Sequence, residues 1–180
     1  LKNEEYYHYK FENLDVKDGW LNYYSITAYD QGDPDANLGS LESSLFANRE
    51  YVYPGKNAGK TVEWLGEPTV YPNPYRGQAS WDGNSSRDKK IWFRNLPNQA
   101  EIRIFSLAGD LVDIIQHDQD YTGQDIQNID SKKNPKMAGG EHAWDMITMY
   151  DQATASGLYL FTVEDQISGK IKEGKFLLIK

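Results

Sequence analysis

The chain has no cysteine. That removes disulfide bridges, thiol catalysis and cysteine-ligated zinc or iron–sulfur centres, while leaving the compartment open. No apolar run approaches the ~20 residues that a membrane span needs. Histidine is scarce. His8, His117 and His142 are far apart, none at a metal-ligand spacing such as H-E-x-x-H. Each is expected as an isolated, half-buried strand residue. Positive charge is also short: 19 Lys and Arg stand against 27 Asp and Glu, a net charge of −8. Residues 1–55 hold 10 acids against 4 bases, and residues 56–180 hold 17 against 15. A basic stripe for phosphate contacts is therefore missing, which excludes a nucleic-acid partner. An acidic surface suits solubility or a divalent cation instead. The G-x-S-x-G elbow, the P-loop and G-x-G-x-x-G are absent too. Carboxylate pairs abound, as 27 acids make inevitable, but nothing suggests the cleft of a glycosidase. The chain is expected not to be an enzyme. With no leader and no initiator Met before Leu1, it is expected to be a processed chain or a fragment.

What is present in quantity is aromatic: 13 Tyr, 6 Phe and 5 Trp, too many for a disordered chain. The apolar residues alternate over short runs. Tyr24, Ile26 and Ala28 interleave with Tyr23, Ser25, Thr27 and Tyr29, the period-2 pattern of a half-buried strand. Strands are expected at 6–11, 21–30 and 44–53, then at 90–95, 101–106, 111–117, 142–145, 157–165 and 170–179. Turn residues separate them, as at Asp18-Gly19, Ala108-Gly109-Asp110 and Ser168-Gly169. Leu158, Leu160 and Thr162 face one way and Tyr159, Phe161 and Val163 the other, so this strand is expected in the middle of a sheet. No convincing helix occurs. Residues 118–140 are polar and read as a long insertion loop.

The fold class is therefore all-β, with two immunoglobulin-like or fibronectin III-like sandwich units, the first incomplete. Residues 1–55 form the first unit, 56–68 a linker of turn composition and 69–180 the second unit. Three expected strands are too few for the first unit, and three alone would leave open sheet edges. Either the upstream part of the same protein or another chain would supply the rest.

The second unit carries an ordered series: Val70-Tyr71-Pro72-Asn73-Pro74, then Ile102 to Val112 around Gly109, Trp144-Asp145, Ser156-Gly157-Leu158-Tyr159, and Gly174 to Lys180. This series resembles the type A C-terminal sorting domains of type IX secretion substrates. It is equally similar to the immunoglobulin-like domain of flagellar hook-capping proteins. The longer 118–140 segment departs from the sorting domains. The resemblance implies a C-terminal module for export and surface anchoring, outside the cell or on its surface, with the secretion or anchoring machinery as partner. Tyr71, Pro72, Asn73, Pro74, Gly109, Trp144, Asp145, Gly157, Tyr159 and Lys180 carry it. Residues 1–53 resemble the closing strands of a fibronectin type III-like domain, with Leu21 and Tyr23 or Tyr24 near a tyrosine corner.

The residues themselves account for much of the series. Each Pro fixes φ and restricts the residue before it, Gly109 permits a tight hairpin, and Asp145 can accept backbone hydrogen bonds in the turn after its strand.

Three further readings come from composition. Asp30, Asp33, Asp35 and Asn37 place oxygens at close spacing, as a Ca2+ site requires, or as an ordinary solvated turn does. The loop from Trp81 to Asp88 is a weaker case of the same choice, and its Asn84-Ser85-Ser86 matches a glycosylation sequon. Trp64 and Trp81 are candidates for a sugar-stacking platform, whereas Trp144 is expected in the core.

Overall fold

Alternating apolar residues and frequent turn signals give short strands throughout. The structure, a computed structural model, describes residues 9–58, 64, 66–82, 88–123 and 136–180. Eleven strands are present there: β1 Asn22–Tyr24, β2 Glu50–Tyr53, β3 Thr69–Tyr71, β4 Tyr75–Arg76, β5 Ile91–Arg94, β6 Gln99–Ser106, β7 Leu111–Asp118, β8 Lys136–Met137, β9 Glu141–Trp144, β10 Gly157–Asp165 and β11 Ile171–Ile179. The fold is all-β. No helix among the described residues is long and apolar enough to cross a membrane.

Two sheets form the sandwich, in the orders β4-β11-β10-β6-β7 and β3-β5-β9. Their inner faces meet in one apolar cluster. Phe93 of the smaller sheet stands edge-on to Phe161 and Phe176 of the larger, with ring centroids 5.2 and 6.0 Å away. Burial of each such side chain is worth ~1.5–3 kcal/mol. β10 is central, paired with β11 on one side and β6 on the other. Its Tyr159, Phe161 and Val163 are buried, whereas Leu160 is 39% exposed on the outer face. Beside it Arg103 joins Glu101 and Glu164 in a charged ladder across the strands.

The third sheet, β1-β2-β8, draws on both parts of the sequence. The end of the 118–140 stretch enters it as β8, running parallel to β2 with Val52 opposite Lys136 and Tyr53 opposite Met137. A polar stretch can do this because strand pairing needs backbone groups, not apolar side chains. Residues 124–135 lie outside the described residues. The Gly140 N–H donates to Lys56 O at 2.8 Å, so the residues just after β2 are tied to those before β9.

The N-terminal strands are shorter than the periodicity predicts. Residues 9–11 take no strand conformation, and 6–8 lie outside the described residues. Of 21–30 only Asn22–Tyr24 is a regular strand, and of 44–53 only Glu50–Tyr53. Between them the chain continues as an irregular hairpin. The Asp30 N–H donates to Leu41 O, the Ser43 N–H donates to Ala28 O, and side chains substitute for other rungs. Serine, threonine and asparagine compete for backbone partners in this way, which interrupts a regular ladder.

The tyrosine corner lies elsewhere than residues 21–24. Tyr23 is 58% exposed, and the Tyr24 hydroxyl takes a hydrogen bond from the Asn13 side chain rather than donating to nearby backbone. Among the described residues a contact of that kind is made by Tyr159, whose hydroxyl donates to Ala155 O, four residues back, at 2.8 Å.

Candidate functional site around the last strand

β11 alternates as an ordinary sandwich strand, with Phe176 and Leu178 buried and Leu177 and Ile179 outward. Its outer edge is covered in two ways. Tyr75 and Arg76 of β4 pair in parallel with Leu178 and Ile179. One step earlier, the Asn73 side chain takes the place of a peptide group. Its Nδ2 donates to Lys175 O at 3.2 Å and its Oδ1 accepts from the Leu177 N–H at 3.1 Å. Pro72 and Pro74 flank it and have no N–H of their own to satisfy.

Lys180, just after β11, is held by the loop before β10. The Lys180 N–H donates to Ser156 Oγ at 2.9 Å. Its ammonium donates to Thr154 O at 2.8 Å and to Thr154 Oγ1 at 3.0 Å. Partial burial lowers the Lys180 ammonium from its usual range, Lys89 adds to this, and Asp145 opposes it. Thr154 is buried and donates its hydroxyl to Met146 O. Met146 belongs to the turn after Trp144-Asp145, where Asp145 Oδ1 accepts from the Ile147 N–H at 2.9 Å. The Trp144 indole donates across the sandwich to Asp113 Oδ2 at 2.7 Å. Burial raises the Asp113 carboxyl, against the opposing effect of that bond.

Most of the motif residues thus gather at one end of the sandwich. Gly157 pairs with Leu178, and Tyr159 with both Phe176 and Ser106. The tight turn after Ser106 places Gly109 at φ +92°. Tyr71 stands apart. Its ring lies on the opposite face of the smaller sheet, stacked with Trp92 at 6.4 Å. Its hydroxyl donates to Glu141 Oε2 at 2.8 Å, and burial, then Glu141, pushes that phenol well above its ordinary value.

Around Tyr71 lies a polar cluster that the sequence pattern does not reveal. Glu141 is buried and accepts from the Lys56 N–H at 3.1 Å. Arg94 reaches both Asp18 and Glu141, with its Nε 3.5 Å from Glu141 Oε1, an ion-pair distance. Burial raises the Glu141 carboxyl, and the bonds from Tyr71 and Lys56 work the other way. Asp18, Lys56, Tyr71, Arg94 and Glu141 are far apart in sequence, so only the sheet register, with Arg94 opposite Glu141, brings them together.

The expectation of isolated, half-buried histidines fails for two of the three. His117 and His142 are 4% and 2% exposed, and their Nδ1 atoms lie 3.2 Å apart. The strand pattern aims both inward from opposite sheets, a convergence that two residues 25 positions apart do not announce. His8 lies outside the described residues.

The acidic loop forms the hairpin tip. Asp30 Oδ1 accepts from the Gly32 and Leu41 N–H groups, and Asp33 Oδ1 from those of Asp35 and Ala36. The bonds from Leu41 and Gly32 lower the Asp30 carboxyl. Asn37 has φ +55° at the turn. Among the described residues no three His, Cys, Asp or Glu side chains group so as to hold a metal ion. Residues 83–87, with the sequon, lie outside the described residues. Trp64 is no exposed platform: it is 3% exposed, with its indole donating to Asn95 O. Trp81 is half-buried and donates to Lys90 O.

No protein-family model matches the chain, and no curated protein matches it. Two solved structures are similar in part. One is PorZ of Porphyromonas gingivalis, described as an essential bacterial surface component of the type-IX secretion system. It is 22% identical over 63% of this chain and 11% of its own, with a TM-score of 0.41. The other is dimeric latent PorU from the same organism, 15% identical over 91% of this chain and 12% of its own, with a TM-score of 0.35. The chain spans a small fraction of the length of either.

Proposed function

We propose that this chain is a non-catalytic C-terminal module of a secreted or cell-surface bacterial protein, acting in export and surface anchoring and as a rigid spacer. The observation that carries the reading is the gathering of Asn73, Asp145, Ser156, Gly157, Tyr159 and Lys180 around the end of β11. These residues belong to the series that resembles sorting domains. A β11 flank closed by a side-chain amide, with Lys180 pinned beside it, gives secretion machinery a fixed surface to engage. Expression of a reporter with the complete chain at its C-terminus, in a bacterium with a type IX system, tests the reading. Recovery of the reporter outside the cell supports it, and retention in the periplasm refutes it.

A second reading has its own observation. Ile26, Tyr29, Leu41 and Phe46 of the N-terminal hairpin are 79, 77, 74 and 68% exposed. Exposed apolar side chains on one short hairpin support an interaction surface if they form a contiguous patch. Such a surface favours a structural or adhesive component whose hairpin is completed by other strands, from another chain or from the same protein. Light scattering after size exclusion distinguishes the sources: a strict monomer at high concentration rules out donation between chains.

A further inference from the structure

The sandwich closes differently at its two flanks. On one, the chain crosses from β3 to β4, and Asn73 and β4 cover the edge of β11. On the other, both sheets end side by side, the larger in β7 and the smaller in β9. The two ends of this second flank are occupied. At one, the Met149 N–H donates to Val112 O at 3.0 Å, beside the irregularity in the β6–β7 register. At the other, the Tyr121 ring stacks on His142 at 3.7 Å. Between them β7 runs from Ile114 to Asp118, about 14 Å of strand. Among the described residues no strand pairs with that side.

The register fixes which backbone groups face outward. The Gln119 N–H donates to Asn98 O, in the pair next to Gln99 and Asp118. In an antiparallel ladder, hydrogen-bonded pairs alternate with pairs whose N–H and C=O groups point away. His117 and Ile115 therefore bond to β6, whereas Ile114, Gln116 and Asp118 direct their backbone groups to the open side. The Ile114 N–H is taken by Asp113 Oδ1 at 2.9 Å. Ile114 O, both backbone groups of Gln116 and the Asp118 N–H are left to meet an incoming strand, as an uncovered sheet edge does.

Beside this edge lies a recess of about 260 Å³, lined by Asp113 to Gln116 of β7 and by Ala143 to Asp145 at the end of β9. Its charged groups are two carboxylates, and no cation lines it. Asp113 Oδ2 accepts from the Trp144 indole, and Asp145 Oδ1 from the Ile147 N–H. A carboxylate oxygen can accept a second hydrogen bond. Burial raises the Asp113 carboxyl, so its negative charge is poorly solvated and a neighbouring cation favours it. Lys180 feels the charge of Asp145 but donates to Thr154. A strand laid along β7 turns alternate side chains outward beside Gln116 and inward beside Ile115, and an inward one enters the recess.

We propose that the β7 flank takes an extended protein segment as a sixth strand of the larger sheet, antiparallel to β7, with a lysine or arginine of that segment in the recess between Asp113 and Asp145. Backbone pairing supplies the affinity and the basic side chain the selectivity. This edge is a different one from those on which both readings above rest.

Titration of the isotope-labelled complete chain with a capped seven-residue peptide, read by amide shifts, tests the proposal. The peptide alternates threonine and valine, with lysine in place of the central valine. Amides from Asp113 to Asp118 should shift saturably at millimolar peptide, and exchange of the Gln116 amide should slow. The same peptide with glutamate at its centre should bind about tenfold more weakly. With the lysine inward, the threonine N–H groups face β7. Methylating those nitrogens should abolish binding, and methylating the valine and lysine nitrogens, which face away, should not. Gln116→Pro removes an outward N–H and no bond to β6, so it should abolish binding while β6 and β10 keep their protection from exchange. Should that variant not fold, the methylated peptides decide. Equal affinity for the lysine and glutamate peptides, shifts confined to the hairpin or β11, or no saturable shift over 113–118 overturns the proposal. So does a shift of those amides with the concentration of the chain alone, which would give the edge to a second copy.

Discussion

At position 73 a side-chain amide stands where a neighbouring strand would otherwise supply a peptide group. Replacing it by alanine removes two hydrogen bonds from an exposed edge, where water can substitute in part. Asn73→Ala should cost about 1–2 kcal/mol, measured as a shift of the urea midpoint. Gly174 is constrained by contact. A Cβ there would lie 2.3 Å from Phe161 Cζ, inside a packed core. Gly174→Ala should therefore destabilise by ~1–3 kcal/mol, with the near-ultraviolet circular dichroism of the aromatic core altered. His117 sets a pH dependence. Burial, then His142, lowers it from 6.5 to about 3. A histidine so depressed binds its proton more readily unfolded than folded. Its contribution to stability is complete above about pH 6.5 and is lost as pH falls towards 3, by up to about 1.4 kcal/mol per pH unit. Denaturant melts at pH 7.5, 6, 5 and 4 should show this fall, and the slope should shrink in a His117→Gln variant.

Six strands of the second unit, β5, β6, β7, β9, β10 and β11, were legible in the sequence as short apolar runs separated by Gly, Pro, Asn or Asp, whereas the three-residue β3 was not. β6, β7, β10 and β11 lie within two residues of where the alternation puts them. β4 and β8 were not legible. Each is two residues long and held by parallel pairing to a strand distant in sequence, which leaves no local pattern. The N-terminal hairpin misled for the opposite reason: its alternation is clear, yet its side chains are exposed on both faces. The motif residues were identifiable by type, but their convergence depends on register. The pairing of His117 with His142 and of Arg94 with Glu141 follows from which strands become neighbours. At this scale the hairpin is held by the residues after β2. A Cβ on Gly140 would sit 2.5 Å from Lys56 O and 2.6 Å from the Asn57 backbone, which cannot yield as a flexible side chain does. Gly140→Ala should increase limited proteolysis within residues 9–58 several-fold while fragments containing β10 and β11 stay resistant.

As a whole the molecule joins a well-packed sandwich to a hairpin with little core of its own. A two-stranded hairpin is marginally stable alone, so its attachment through Glu141, Gly140 and β8 decides whether it is presented in one orientation. The sandwich end, by contrast, closes around β11 and Lys180 without help from the hairpin. Under the proposed function, export and anchoring would belong to the sandwich and contact with neighbouring strands to the hairpin. The most direct measurement is the distribution of a reporter between medium, cell surface and periplasm, with and without the complete chain at its C-terminus, in a bacterium with a type IX system. The account predicts that the chain moves most of the reporter to the surface or the medium. An unchanged periplasmic pool would contradict it.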